Sequence, residues 1–290
     1  MKRSDFRLLD KLRVRWAEVD MQKIVFNGHY LMYFDTAVGA YWRALALPYA
    51  ESMERLQGDL YVRKATLEYE GSAHYDEICH AGIRCARIGN SSMVLQAALF
   101  RGQQRLVHGE LVYVFADPAT QSSRPVPQAL REVLLAYEAG EAMVTLHRGS
   151  WSELGNEAAA LRREVFADGL QWPVQLAADE HDSAALHVVA RNRLGRVVAC
   201  GRLLGGSASD PAQVSRLAVL GGLQGSGLGR QVLAELTRAA RERGAQELRL
   251  QSPPDALAFF AEAGFSARGE ACGEACGEAG LPQQAMALAL

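Results

Sequence analysis

The stretch Asp20-Met21-Gln22-Lys23-Ile24-Val25-Phe26-Asn27-Gly28-His29-Tyr30 sets a lone carboxylate on a polar turn, then an apolar triplet, then a helix start at Asn27-Gly28. An ordinary aspartate is ionised at neutral pH, and the first amides of a helix point outward without an intrahelical acceptor. A carboxylate beside oriented amides can activate water or attack a carbonyl while the amides hold the oxyanion that forms. Aspartate is a weak base, so such a pair suits a substrate that is already activated. A thioester is one, because its leaving thiolate has a pKa near ~8.5 if it resembles a cysteine. No Gly-x-Ser-x-Gly elbow and no His-Glu-x-x-His occurs in the chain. Taken alone, Asp20 reads more simply as a turn or capping carboxylate.

A second candidate is Gln224-Gly225-Ser226-Gly227-Leu228-Gly229, between a strand-like segment and a helical one. Glycines at such a turn let backbone amides approach an anion at the positive end of the helix. A dinucleotide fingerprint needs a third glycine where Arg230 stands, and no Gly-Lys-Ser/Thr follows for a Walker loop. Phosphate binding and a plain turn both remain open on this pattern alone.

The elements that must hold these residues are readable. Residues 12–19 alternate and predict a strand into the Asp20 turn, and Asn27 is a good N-cap. Leu31, Phe34, Val38, Tyr41, Trp42 and Leu45 recur at helical spacing, and Pro48 fits a stop. Segments 60–70, 77–89, 92–101 and 105–117 are strand-like, separated by turns such as Gly89-Asn90-Ser91. One early helix followed by a strand meander is an α+β pattern. A helix at 127–139 ends at Gly140, which predicts two domains, 1–140 and 141–290. The second half predicts strands at 142–148, 184–191, 196–204, 213–220, 245–251 and 284–290. Helices at 150–166, 227–243 and 254–263 alternate with them, as in a mixed α/β domain.

With 290 residues, 49% of them apolar, each half can bury its own core. A net charge of -2 gives no support for nucleic acid or an anionic membrane as partner. Met1-Lys2-Arg3-Ser4-Asp5 lacks the apolar run of a signal peptide, and no stretch approaches the ~20 apolar residues of a membrane span. The expected setting is cytoplasmic. The 5 cysteines, Cys79, Cys85, Cys200, Cys272 and Cys276, are odd in number and read as reduced thiols. Cys272 and Cys276 sit in a near-duplicated Ala-Cys-Gly-Glu stretch whose spacing is not a zinc pattern. It reads as a loop, and no metal is expected.

The first half resembles the 4-hydroxybenzoyl-CoA thioesterase family of hotdog-fold acyl-CoA thioesterases. The resemblance rests on Asp20, Ile24-Val25, Phe26, Asn27 and Tyr30, and continues through Glu68-Tyr69, Tyr75-Asp76-Glu77, Ile88-Gly89-Asn90-Ser91-Ser92 and Gly109-Glu110-Leu111-Val112-Tyr113-Val114. It covers nearly all of residues 8–130. It implies a long helix wrapped by an antiparallel sheet, an active site at a subunit interface and hence a homo-oligomer formed through this domain. It also implies that Asp20 is the catalytic carboxylate, as nucleophile or general base, and that the amide of Asn27, with Gly28 beside it, forms the oxyanion hole. The family usually has glycine where this chain has Lys23, so a turn needing φ > 0 would be strained here. Lys23 reads as a solvated turn residue or a contact to a CoA phosphate. His29 reads as a satisfied neighbour or a proton carrier, Asp35 as a structural hydrogen-bond partner, Tyr30 and Tyr33 as packing, and Asp76 as part of a CoA entrance.

The second half resembles the GNAT acetyltransferase superfamily, whose pyrophosphate loop has the pattern Gln-x-x-Gly-x-Gly. Ser215-Arg216-Leu217-Ala218-Val219 resembles the strand before that loop, Leu161-Arg162-Arg163-Glu164-Val165-Phe166 the first helix, and Ala256-Leu257-Ala258-Phe259-Phe260 through Gly264-Phe265 the late helix and turn. Asp179-Glu180-His181-Asp182 with His187 resembles one subgroup's entry to the second strand. The resemblance spans about 142–290. It implies acetyl-CoA held by the amides of Gln224, Gly225, Ser226, Gly227, Leu228 and Gly229, with its thioester against the backbone of Leu217–Val219. Many relatives carry a tyrosine at the position of Phe260, and phenylalanine cannot protonate the leaving thiolate. Glu180 and His181 are candidates for the base, or surface charge. The expectation is a bifunctional CoA protein: acyl-CoA hydrolysis in the first half, and acetyl-CoA binding with N-acetyl transfer to an unidentified amine in the second. The alternative is a second half that binds CoA as a non-catalytic regulator.

Overall fold

The long apolar stripe of the first half folds as α1 (Asn27–Ala44), and its buried face carries Tyr30, Tyr33, Phe34, Ala37, Val38, Tyr41 and Trp42. The structure, a computed structural model, describes residues 1–269 and 282–290. The backbone divides into two compact units, Met1–Met143 and Val144–Leu290.

In the first unit the strands are β1 (Leu8–Arg13), β2 (Asp59–Tyr69), β3 (Ile78–Ile88), β4 (Ser92–Arg101) and β5 (Gln104–Ala116). They form one antiparallel sheet in the order β1-β3-β4-β5-β2. The helix α1 packs on β1 and β3, and this is the hotdog arrangement. Two short helices complete the unit, α2 (Tyr49–Arg55) and α3 (Gln128–Glu138). The Glu138 carboxylate accepts from the Tyr41 hydroxyl at 2.6 Å and from the Cys85 amide at 2.8 Å, which ties α3 to α1 and β3. Burial, then the charge of Glu138, hold the Tyr41 hydroxyl in its protonated form well past the usual range.

Four expectations for this unit change. The strand expected at 12–19 lies earlier, because pairing with β3 ends at Arg13 opposite Ile78. Beyond it the chain turns, and the Glu18 carboxylate accepts the Arg15 amide at 2.7 Å. Asn27 is not the N-cap: Phe26 holds that position with extended backbone, and no side chain caps the helix. Leu31 belongs to the apolar period yet is 40% exposed. Pro48 does more than stop a helix, since it is the N-cap of α2, which the sequence reading missed.

The second unit contains β6 (Val144–Gly149), α4 (Trp151–Arg162), β7 (Leu186–Asn192), β8 (Val197–Gly205), β9 (Ala212–Val219), α5 (Leu228–Glu242), β10 (Glu247–Ser252), α6 (Leu257–Glu262), β11 (Ser266–Ala267) and β12 (Gln284–Ala289). The sheet order is β11-β12-β10-β9-β8-β7-β6. Its pairs are antiparallel except β9 with β10, which run parallel and pair only at Ala212 with Leu248 and Gln213 with Arg249. The two strands therefore part from Val214 onward. This is the mixed α/β domain expected. The helix predicted at 150–166 ends its regular part at Arg162 and widens into a π-type stretch, Arg163–Gly169. Cys272 and Cys276 lie outside the described residues. Among the described residues no helix is long and apolar enough to cross a membrane.

An ionic network crosses this unit. Asp182 accepts from Arg162 at 2.8 Å and from Arg202 at 2.9 Å, and Asp179 accepts from Arg202 at 2.5 Å and from Arg216 at 2.6 Å. Arg162, Asp182, His187 and Arg202 are all buried, so each charge depends on its partners. Burial lowers the His187 pKa and keeps the ring neutral, so Nε2–H donates to the Asp182 carbonyl at 2.9 Å and Nδ1 accepts from Arg162 at 3.1 Å. Burial alone would raise the Asp179 pKa, but Arg202 and Arg216 overcome it and hold the carboxyl at about 2. A depressed carboxyl stabilises the fold above its unfolded pKa, and that contribution disappears as pH falls through the folded value. The stability gap between wild type and Asp179→Asn, followed by denaturant unfolding, is therefore expected to narrow by about 2 kcal/mol between about pH 4 and about pH 2.

Candidate functional sites

The first site begins with a tight loop. Val19 and Val25 form an antiparallel bridge. Inside it the Asp20 amide donates to the Ile24 carbonyl and the Lys23 amide to the Asp20 carbonyl, each at 2.9 Å. The Asp20 carboxylate accepts the Gln22 amide through Oδ1 at 2.8 Å. Oδ2 makes no hydrogen bond among the described residues. Asp20 is thus both the turn carboxylate of the plain reading and a half-buried group with one oxygen to offer. Lys23 closes the turn at φ 61. A side chain at left-handed φ costs roughly 1–2 kcal/mol, so the lysine that departs from the family pattern carries the strain expected of it.

The loop is fixed to its surroundings at several points. The Phe26 amide donates to the Glu18 carbonyl and the Val25 amide to the Ala73 carbonyl, each at 2.9 Å. The Tyr33 hydroxyl donates to the Glu18 carboxylate at 2.6 Å, and the Ala73 amide donates to the Tyr30 hydroxyl at 3.0 Å. Tyr30 and Tyr33 are buried, as packing residues are. Glu18 is the residue the sequence reading missed: it seats the loop on α1 through both its backbone and its carboxylate. Its one signal is the Arg15-to-Glu18 spacing of a capped turn.

At the start of α1 the amides of Asn27 and Gly28 have no acceptor among the described residues, while the His29 amide donates back to the Phe26 carbonyl at 2.9 Å. A Cβ at Gly28 would lie 3.1 Å from the Phe26 ring, so glycine lets that ring lie over the helix start. The His29 ring meets the Met32 sulfur at 3.3 Å and the Phe26 ring edge-on, a satisfied neighbour. Asp76 is paired with Arg13 at 2.7 Å.

Asp35 departs from its expectation. It makes no hydrogen bond among the described residues, and it lines an open cavity of about 300 Å³ with Val38, Trp42, Tyr49, Leu95 and Tyr113. The Tyr113 hydroxyl is pushed up to about 12 by burial and then by the Asp35 charge. Asp35 follows Asn27 by about two helical turns, roughly 12 Å along the axis. The positions Leu31, Asp35, Val38 and Trp42 share the i, i+4, i+7 face that begins at Asn27 and Gly28.

The second site lies where β9 turns into α5. Gly225 and Gly227 are left-handed, at φ 78 and 86, and Gly227 is the N-cap of the helix. The Gln224 amide donates to the Gly221 carbonyl and the Ser226 amide to the Leu223 carbonyl, each at 3.3 Å. Those two amides close the loop instead of facing a ligand, which narrows the expected set. The amides of Gly225, Gly227, Leu228 and Gly229 have no backbone acceptor among the described residues. Upstream, Leu217 and Val219 are half-buried on the part of β9 that has left β10. Phe260 is buried against Phe259 and Phe265. The Glu180 and His181 side chains are exposed. No group of three or more metal-ligating side chains occurs among the described residues.

Residues 22–108 match the family model described as the Thioesterase superfamily, and residues 153–290 match the one described as the Acetyltransferase (GNAT) domain. A Pseudomonas aeruginosa protein, PA5185, is similar at 28% identity over 47% of this chain and 94% of that chain, with a TM-score of 0.41. A thioesterase from Thermus thermophilus, complexed with coenzyme A and Zn, is 21% identical over 47% of this chain and 97% of that one, TM-score 0.41. A hypothetical protein from Aquifex aeolicus is 20% identical over 44% of this chain and 98% of that one, TM-score 0.41. The chain carries a thioesterase-superfamily region of hotdog fold followed by a GNAT domain, a two-domain protein related to coenzyme A.

The strain at Lys23 gives a direct test. Lys23→Gly should raise the thermal midpoint of the first unit relative to Lys23→Val, with a difference on the order of 1–2 kcal/mol in stability, because valine is β-branched at a left-handed position.

Proposed function

We propose that the first domain, 1–140, hydrolyses acyl-CoA thioesters and that the second, 141–290, binds acetyl-CoA and transfers its acetyl group to an amine. The observation that carries the hydrolase reading is the pairing of a carboxylate with one unengaged oxygen, Asp20, and the acceptor-free amides of Asn27 and Gly28 on the same short loop-helix unit. Asp20 takes a proton from water as the water oxygen adds to the thioester carbon, or adds to that carbon itself. The amides of Asn27 and Gly28 hold the oxyanion. Collapse breaks the C–S bond and expels the thiolate. On the base route the thiolate takes up the proton that Asp20 took from water. On the nucleophile route water then hydrolyses the acyl–Asp20 anhydride to the acid and free Asp20, supplying the thiolate's proton. The cavity beside Asp35 lies along the same helix face and supports an acyl site there. The exposed edge strand β2, 11 residues long, supports a homo-oligomer through this domain.

For the second domain the support is the run of open amides at Gly225, Gly227, Leu228 and Gly229, which suits a pyrophosphate. The peptide groups of Leu217–Val219, released from β10, would take the thioester end of the coenzyme. The non-catalytic regulator is kept as a second reading because Phe260 has no hydroxyl to offer the leaving thiolate. Cytoplasmic location completes the proposal.

Thiol release from an acyl-CoA panel tests the first domain. Asp20→Asn should lower kcat by about 10²–10⁴-fold. Asn27→Pro removes one oxyanion donor while proline remains tolerated at the first helical position, and should cost about 10²–10³ in kcat. A wild-type rate in Asp20→Asn would sink the assignment. For the second domain, Gly227→Val should weaken acetyl-CoA binding about tenfold, as a β-branched residue is poorly held at φ 86. Mass spectrometry of an amine panel then separates the readings: an acetylated product supports the enzyme, and Gly227-dependent binding with no product supports the regulator.

A further inference from the structure

The strand β9 contains an irregularity that neither domain assignment explains. Cys200 pairs with Ala218 and Arg202 with Ser215, so Gly201 alone faces the two residues Arg216 and Leu217. Arg216 sits at φ 54, a conformation that such bulges usually give to glycine. The two bulge residues diverge. The Leu217 side chain lies on the Gly201 side, 3.3 Å from where a Cβ on Gly201 would stand, on the same side as Val232 and Leu236 of α5. The Arg216 guanidinium instead reaches the Asp179 carboxylate at 2.6 Å, and its side chain is 6% exposed. The same carboxylate accepts from Arg202 at 2.5 Å, and Arg202 Nε donates to the Ser215 hydroxyl at 2.9 Å. The Arg216 carbonyl faces the Cys200 thiol at 3.8 Å. Both residues that begin the bulge are thus fixed from one acid outside the sheet. Asp179 is itself anchored, as its Oδ1 accepts the His181 amide at 3.0 Å and its own amide donates to Asp182 at 2.9 Å.

We propose that Asp179 is a positioning residue for the acetyl-CoA cleft: through Arg216 it holds the left-handed bulge of β9 and so sets the direction of the Leu217–Val219 peptide groups. The proposal rests on the reading that this domain binds acetyl-CoA. The bulge lies immediately before those peptide groups, at the point where β9 has parted from β10. A regular strand through Arg216 would shift every following residue of β9 by one position relative to β8 and turn its side chains to the opposite faces. A bulge formed by arginine is not self-supporting, so an external clamp is what keeps it.

The test is acetyl-CoA binding to the full chain by calorimetry, in an Asp20→Asn background so that the ligand is not hydrolysed. Binding that Gly227→Val weakens is assigned to the second unit. Asp179→Asn should weaken that binding about tenfold, with the cooperative unfolding transition retained. Adding Arg216→Gly should restore affinity, because glycine holds φ 54 without a clamp. Adding Arg216→Ala should not, although it equally removes the guanidinium. Wild-type affinity in folded Asp179→Asn overturns the proposal, as does equal rescue by alanine and glycine. Absence of any Gly227-dependent binding in wild type overturns the acetyl-CoA reading beneath it, and is distinguishable because the other outcomes all require that binding to exist.

Discussion

A helix leaves its first amides without acceptors whatever its sequence, and in both units those amides stay open beside a tight loop. At Asn27 and Gly28 they adjoin a carboxylate with an unengaged oxygen. At Gly227, Leu228 and Gly229 they follow a left-handed glycine turn. In each unit, further contacts fix the loop that precedes these donors. In the first unit that work falls to Glu18, Tyr30, Tyr33 and Ala73, which clamp the loop before the helix. In the second it falls to the loop's own amides at Gln224 and Ser226.

The two units differ in how they tolerate strain. The turn at Lys23 is short and exposed, and its left-handed residue is held by two backbone hydrogen bonds and a bridge on either side. The bulge at Arg216 is inside a sheet, where a backbone irregularity leaves ladder groups to be satisfied. There the chain uses side-chain charge, buried and mutually paired, in place of glycine. Such pairs contribute little net stability but are costly to break singly, which suits a role in geometry more than in cohesion.

The elements of both domains were legible because their periods are strong: Phe34, Val38, Tyr41 and Trp42 mark α1, and the turn at Gly89-Asn90-Ser91 separates β3 from β4. Asp20 and the glycine loop stood out as candidates because carboxylate, helix start and left-handed glycines each have a local signature. What stayed hidden depends on distant partners. Nothing near Glu18 announces Tyr33, and nothing in Ser215-Arg216-Leu217 announces a bulge held from Asp179. Asn27 misled for a local reason: a good capping type one residue inside the helix looks the same as a cap, and the extended backbone of Phe26 decides the matter. Pro48 was read as an ending when its fixed φ equally suits a beginning.

The parting of β9 from β10 has a consequence for how the second unit comes together. Strands β7 to β9 form a contiguous antiparallel meander of sequence neighbours, and β6 joins β7 across α4. The join to β10 requires a right-handed crossover through α5 and is secured at two register positions only. That join is a seam. Closing it is a long-range step of assembly, slower than the β7–β8 and β8–β9 hairpins, and opening it breaks few register pairs of the sheet. A ligand lodged in the gap would therefore act as a splint, slowing the release of the β10–β12 edge more than it stiffens the meander behind it.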